Sequence, residues 1–301
     1  MYHSVVEDPR QTANTIRISQ SRASFEHQMS TLARRFNPVT IEEISDFAAN
    51  GRKLPPWSVA VTFDDGFADN QEVALPILSR YAIPATFYIM VDAVETGTPP
   101  WYCRFTFAFN TTTVSEWQHP TNGRTFNLGD SDERKAALNA AWDLGAAQTG
   151  AAQEQLVQQI EQALRVEPLD ARSGLMMNWD SVRAMKKAGH TIGAHTLSHP
   201  NLAHVSRDEA NAEITGGKAR VEKEVGEPVR HFSYPHPALN PQWSPQTLQI
   251  TREAGYKSAV LTTQGSVGPG DEPLSLKRIP GYEDSALWLW QLERGFIGGR
   301  N

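Results

Sequence analysis

Two short segments carry residue types that can do chemistry together. The first is Thr62-Phe63-Asp64-Asp65-Gly66, where two adjacent carboxylates follow an apolar run. Neighbouring acids repel, which raises one pKa unless a cation lies between them, so a buried Asp-Asp pair wants a metal ion or a proton. Asp-Asp-Gly is also a good turn sequence, and alone it decides nothing. The second segment is Gly193-Ala194-His195-Thr196-Leu197-Ser198-His199-Pro200, with two imidazoles four residues apart. A helical zinc-protease reading fails here: Thr196 stands where that pattern needs glutamate, Pro200 follows at once, and the preceding residues read as strand. Two histidines and one carboxylate make a three-ligand set with open positions. Such a set suits one divalent metal that holds water, Zn²⁺ first, with Co²⁺, Ni²⁺, Mn²⁺ or Fe²⁺ as alternatives.

The elements that must position these residues are legible as alternating strands and helices. Trp57–Phe63 is short, apolar and β-branched, entered from Pro55-Pro56 and stopped by Asp-Asp-Gly. Ala85–Val91 repeats the pattern, and Thr191–Ala194 and Ser258–Thr262 are shorter strand candidates. Between them lie helices with proper ends. Thr40 opens a capping box with Glu43, and Asn50-Gly51 supplies a left-handed stop. Asp180–Ala188 ends at Gly189, and Ser206–Val225 ends at Gly226. Strand–helix alternation predicts a parallel α/β sheet or barrel, in which residues at strand C-terminal ends form the active site. Residues from about 96 to 174 break the rhythm. That stretch is aromatic first (Trp101, Phe105, Phe107, Phe109, Trp117), then helical over Ser131–Leu144 and Ala151–Leu164, and reads as an insertion carrying a helical hairpin.

Composition narrows the class further. The chain has 301 residues, 28 Lys+Arg against 34 Asp+Glu and a net charge of −6. That balance gives no reason to expect nucleic acid as a partner. The single Cys103 cannot form an intramolecular disulfide or a cysteine cluster. No apolar run approaches the roughly 20 residues of a membrane span, and the opening residues lack a signal-peptide pattern, so a cytoplasmic location is expected. A length of 301 residues suits one large α/β domain or two smaller ones.

The motifs TFDDG and HTLSHP, in this order and spacing, resemble those of the polysaccharide deacetylases of the NodB-homology type, carbohydrate esterase family four. The flanking text agrees: YHSV at the start, LPIL and IPATFYI after the first motif, NWDSVRAMKKAGHTIGAHT before the second, then HFSYP and EAGYKSAVLTTQG. The resemblance runs from Met1 to about Tyr282 and implies a distorted (β/α)7 barrel. A barrel takes about 250 residues, so residues 1–301 then read as one catalytic domain with an insertion at about 96–174.

Residue by residue, the resemblance implies that Asp65, His195 and His199 hold the metal and that Asp64 is the general base. Thr196 and Ser198 become candidates to orient the imidazoles. The family's third motif corresponds to Ser233-Tyr234-Pro235-His236-Pro237, which departs from it twice: Ser233 replaces the arginine that orients the base, and Pro237 replaces a glycine. The His236 N–H is then the oxyanion donor, and Arg278 a candidate replacement for the lost arginine. The usual C-terminal Leu-x-His of the general acid is absent. A circularly permuted subgroup supplies that histidine from an N-terminal Tyr-His-x-Val, which Tyr2-His3-Ser4-Val5 matches, so His3 is the candidate acid.

Tyr234 and Trp179, with Trp101 and Trp243, are candidates to line a sugar cleft, and the Leu287–Leu292 stretch is expected to cover the barrel. His190 reads as a core residue. The activity implied is hydrolysis of N-acetyl groups on an amino-sugar poly- or oligosaccharide. Alternatives are a non-sugar amide or imide hydrolase on the same barrel, or a carbohydrate-binding protein without catalysis.

Overall fold

The computed structural model describes residues 1–7, 18–236 and 239–297. Pro237, the second departure in the third motif, lies outside the described residues. At the centre is a curled sheet of six strands, all parallel: Val61–Phe63, Ala85–Ile89, Thr191–Ala194, His231–Ser233, Ser258–Gln264 and Leu276–Arg278. They lie side by side in that order, with pairs such as Phe63 opposite Phe87 and Ile89 opposite Ala194. The strands are short and apolar because both faces are covered, as parallel sheets require. Phe63 and Phe87 stack at 4.7 Å between ring centroids, a contact worth about 0.5–1.5 kcal/mol beyond area burial.

The ends of this curled sheet are bridged by residues 1–3. Tyr2 N–H donates to Thr62 O and Asp64 N–H to Tyr2 O, making a parallel bridge beside Phe63. On the other side Met1 N donates to Ile279 O at 2.9 Å, and Gly281 N–H donates to Met1 O. Six strands plus this seam give the distorted barrel expected from the motifs. Below the seam, a cavity of about 560 Å³ lies between the two edge strands, lined by Ile41, Phe47, Trp57, Trp288 and Phe296 among others.

The helices follow their sequence signals closely. Ile41–Asn50 has the full Thr40–Glu43 capping box and ends on Gly51 in the left-handed region. Arg207–Val225 is capped by Ser206 and stopped by Gly226. Two strands are cut short relative to expectation. Ala60 separates Ser58–Val59 from Val61–Phe63, and Ala85–Ile89 ends early because Val91 opens a helical turn whose N–H is claimed by Thr196 O. The helix Ser285–Ile297 covers the barrel with Trp288 and Leu292, while Trp290 remains 53% exposed. No helix among the described residues is long and apolar enough to cross a membrane.

The segment that broke the alternation has its own apolar cluster. The aromatic stretch is a helix, Trp101–Thr111, packed with Ser131–Ala146 and Gly150–Ala163, and a small antiparallel ladder joins Glu116–Gln118 to Thr125–Asn127. Phe105, Phe109, Trp117, Phe126 and Val157 fill its centre, and Phe67, Met90 and Ala93 from the barrel's upper rim join the same cluster. Arg104 ties the first helix to the last through two hydrogen bonds to Glu161 (2.8 and 2.6 Å) and one to Glu154.

Candidate active site

Asp64 and Asp65 follow the Val61–Phe63 strand in a tight turn. Asp65 has φ = 76° and Gly66 φ = 89°, so an aspartate occupies a region that L-residues enter rarely. The turn is held by Met177 N–H donating to Gly66 O, which pairs it with the chain leaving the inserted segment. The histidines sit on an equally constrained loop. His195 N–H donates to Ile89 O, while Thr196 and His199 both have positive φ, 64° and 66°. Glu213 fixes that loop from the neighbouring helix: its carboxylate accepts from Leu197 N–H, Ser198 N–H and Ser198 Oγ. Gly217 on the same helix is required by the close approach, since a Cβ there would meet Thr196 backbone at 3.0 Å. Thr196 and Ser198 therefore shape the loop backbone: Thr196 Oγ accepts from His199 N–H, and Ser198 Oγ donates to Glu213. Glu213 itself gave no local signal in the sequence.

Asp65, His195 and His199 converge, with ligand atoms all within 4.8 Å of one another and each residue buried. Asp65 Oδ1 is 3.3 Å from His195 Nε2 and 3.6 Å from His199 Nε2. Ligands about 2.1 Å from a tetrahedral metal are roughly 3.4 Å apart, so the spacing fits. Hydrogen bonding supports the same conclusion. His195 Nδ1–H donates to Ser233 O at 2.7 Å, which leaves the Nε2 of a neutral ring as an acceptor facing another acceptor. Asp65 Oδ1 is buried with no well-formed hydrogen bond. Such an arrangement calls for a cation. Burial pushes the His199 pKa down to about 4, against the opposing pull of Asp65, so that ring is neutral and ready to ligate. His195 is raised, because Asp65 and Asp64 together outweigh its burial.

Asp64 is handled differently. Its burial alone would raise its pKa, but the Arg278 guanidinium holds it well below the usual carboxylate range. The contact is bidentate, Nη1 to Oδ1 at 2.8 Å and Nη2 to Oδ2 at 2.7 Å, and Arg278 Nε–H is anchored on Leu261 O. Ser233 Oγ lies between them, accepting from Arg278 Nη2 at 3.1 Å and donating to Asp64 Oδ2 at 3.2 Å. The arginine missing at Ser233 is thus replaced from the last strand of the sheet, with the smaller serine leaving it room.

His3 is half-buried beside this group. Burial lowers its pKa, while Asp65 and Asp64 pull the other way. Its carbonyl accepts from Asn70 Nδ2 at 2.6 Å, and Ser4 Oγ donates to Asp69 Oδ2 at 2.6 Å. The residues just after the DDG turn therefore also pin the seam that carries His3. His236 is half-buried, its ring 3.3 Å from Asn240 Oδ1.

Two expected cleft residues are corrected. Tyr234 is 0% exposed, packed on Phe232, with its hydroxyl donating to Thr251 and its N–H to Val260 O. It is a core residue, and so offers neither a sugar platform nor an oxyanion donor. Trp179 donates its indole N–H to Glu95 and lies under Arg220 in an ionic cluster between outer helices. Trp101 is buried against Phe105 and Trp142. His190 is a core residue as expected, accepting from Ala85 N–H.

A family model for polysaccharide deacetylases matches residues 51–259, more than half of the chain. The chain belongs to the polysaccharide deacetylase family. YxkH of Bacillus subtilis, a provisionally named polysaccharide deacetylase, is 31% identical over 291 residues, covering 95% of this chain and 73% of that protein. A chitooligosaccharide deacetylase of Azorhizobium caulinodans is 36% identical over 70 residues, which is 31% of its length. Among solved structures, the deacetylase PplD of Streptococcus pyogenes, in complex with acetate, has a TM-score of 0.63 at 20% identity, covering 97% of this chain and 96% of that one. IcaB of Ammonifex degensii gives 0.61 at 20% identity, covering 97% and 94%. Both share the fold of this deacetylase, whose family consists of carbohydrate-directed hydrolases acting on C–N bonds other than peptide bonds.

Proposed function

We propose that residues 1–301 form one catalytic unit that removes N-acetyl groups from an amino-sugar poly- or oligosaccharide, releasing acetate, with Asp65, His195 and His199 holding one Zn²⁺ ion. When bound, the metal supplies Lewis acidity, lowering the pKa of water and polarising a carbonyl oxygen. Asp64 takes the proton of the attacking water, and Arg278 keeps that carboxylate ionised and aimed. Ser233 O fixes the His195 tautomer, so that its Nε2 lone pair would be free to hold the ion. The His236 N–H donates to the oxygen that gains charge on the acetyl carbon. His3 delivers a proton to the departing nitrogen, which an amide needs because its nitrogen anion does not leave unaided. The inserted residues, about 96–174, border the rim and shape access for the sugar chain.

The observation that carries this reading is the division of labour in the Asp pair: Asp64 is claimed by Arg278, and Asp65 is left facing the Nε2 atoms of two imidazoles. The acetate seen with PplD and the chitooligosaccharide substrate named for the Azorhizobium relative favour an acetylated amino sugar. Acetate release from N-acetylglucosamine oligomers, measured beside metal content, tests it. Asp64→Asn should retain metal and lose about 10²–10⁴ in rate, while His195→Ala should lose both. Near-normal turnover by Asp64→Asn would overturn the base assignment. Acetate from simple amides or imides but none from sugar oligomers would overturn the substrate class.

A further inference from the structure

Tyr102 lies on the first helix of the inserted segment and is 3% exposed. Its ring packs 5.6 Å from the His199 ring at 56°, stacks on Trp142 at 5.8 Å and meets Trp101 edge-on. The phenol oxygen is buried and has no hydrogen-bond partner. A buried hydroxyl without a partner costs about 1–3 kcal/mol, so its persistence asks for one. Asp65 is the nearby acceptor: it lies 3.6 Å from His199 Nε2, on the ring that Tyr102 packs against, and its Oδ1 is likewise buried without a partner. After burial, its carboxylate is the next cause that pushes the phenol's pKa up. Asp65 is itself short of donors. Among the described residues its side chain has only the two imidazoles as polar partners, and those face it through Oδ1.

An orphaned donor and a carboxylate with a partnerless oxygen are thus buried together around His199. Arg104, two residues along the same helix, locks this helix to Glu161, so the phenol is delivered by a braced scaffold. We propose that Tyr102 is a positioning residue of the metal centre, its hydroxyl donating to the Asp65 carboxylate oxygen turned away from the ion once Oδ1 is engaged. The inference rests on the metal reading above. Carboxylate ligands that are themselves hydrogen-bonded hold their metal more tightly, and losing such a partner costs about 10–100-fold in affinity. The inserted segment then contributes to the centre itself as well as to access.

The test is Zn²⁺ affinity of the whole chain, by competition with a chromophoric chelator, together with the visible spectrum of the Co²⁺ form. Tyr102→Phe should bind Zn²⁺ at least about 10-fold more weakly and shift the Co²⁺ bands, with the metal-free melting temperature kept or raised, since an unpartnered buried hydroxyl is removed. Cys103→Ala alters packing of the same helix without touching the phenol and should keep wild-type affinity. Should Tyr102→Phe fail to melt cooperatively, Tyr102→Met removes the hydroxyl with a more adaptable side chain and is read in the same way. Unchanged affinity and spectrum in the hydroxyl-less variant, or an equal loss in Cys103→Ala, would overturn the inference and leave the metal reading standing. Failure of the unaltered chain to take up Zn²⁺ or Co²⁺ would overturn the metal reading, and this one with it.

Discussion

The barrel mouth and the inserted segment each bury an arginine against a carboxylate. Arg104 grips Glu161 through two hydrogen bonds and Glu154 through a third, in a cluster otherwise aromatic and aliphatic. Arg278 grips Asp64 through two as well, but next to it Asp65 is left without a well-formed partner, on a residue of positive φ. The first pair braces two helices, and its buried charges are fully answered. The second answers one carboxylate of two and leaves the other open. Burying charge is costly in both places, so the unanswered group marks where a cation belongs and the answered one marks scaffolding.

Breaking the two pairs should separate these roles. Arg278→Met strands a buried carboxylate and should cost about 3–5 kcal/mol in unfolding free energy, with deacetylation falling to background. Arg104→Met should cost a similar amount in a denaturant melt. Replacing Arg104 and Glu161 together by Met and Leu should recover most of that loss, since apolar replacements of whole buried pairs are often neutral. Failure of the double variant to recover would mean that the brace sets more than stability.

His3 extends the comparison to the seam. His3→Gln should retain metal and lose about 10²-fold on an N-acetyl sugar. On 4-nitrophenyl acetate, whose leaving group needs no proton, the loss should be much smaller. Equal losses on both substrates would contradict an acid role.

A smaller effect is expected from Asp69, whose pKa burial raises to about 6 despite donors from Ser4 and Asn70. Because the folded pKa lies above the unfolded value of about 3.9, its contribution is fully present below pH ~4 and is lost as pH rises through about 6. Melts from pH 4 to 7 should show a steeper decline in the wild type than in Asp69→Asn. The smallest change belongs to Glu154→Gln at the exposed end of the brace, within about 1 kcal/mol and with metal affinity unchanged.

The sequence was most readable where local chemistry decides structure. The Thr40–Glu43 capping box, the Gly51 and Gly226 stops and the Thr191–Ala194 strand appear as expected because caps and short apolar runs act within a few residues. The Asp and His positions were legible only together, since Asp-Asp-Gly alone is an ordinary turn and two histidines four apart are commonly incidental. What stayed hidden depends on distant segments meeting. Glu213 is one of many acids on a helix, and Tyr102 one of many aromatics on an apolar one. Only the fold brings the first to Leu197 and the second to His199. Tyr234 misled in the opposite direction: an aromatic beside the site in sequence points away from it in space.

The seam at residues 1–3 has a consequence for the order of assembly. Met1 bonds to Ile279 across 278 residues, and the His3 carbonyl depends on Asn70, so the proposed proton donor is seated by contacts among the most distant in the chain. Non-local contacts of this kind form late, because loop closure must be completed before they stabilise anything. During synthesis, residues 1–3 must wait until about residue 281 has left the ribosome before the ring can shut. The two aspartates and two histidines lie within the first 200 residues and can converge earlier. Competence to hold an ion is therefore expected to precede competence to expel an amine, with the proposed proton donor seated only when the ring shuts.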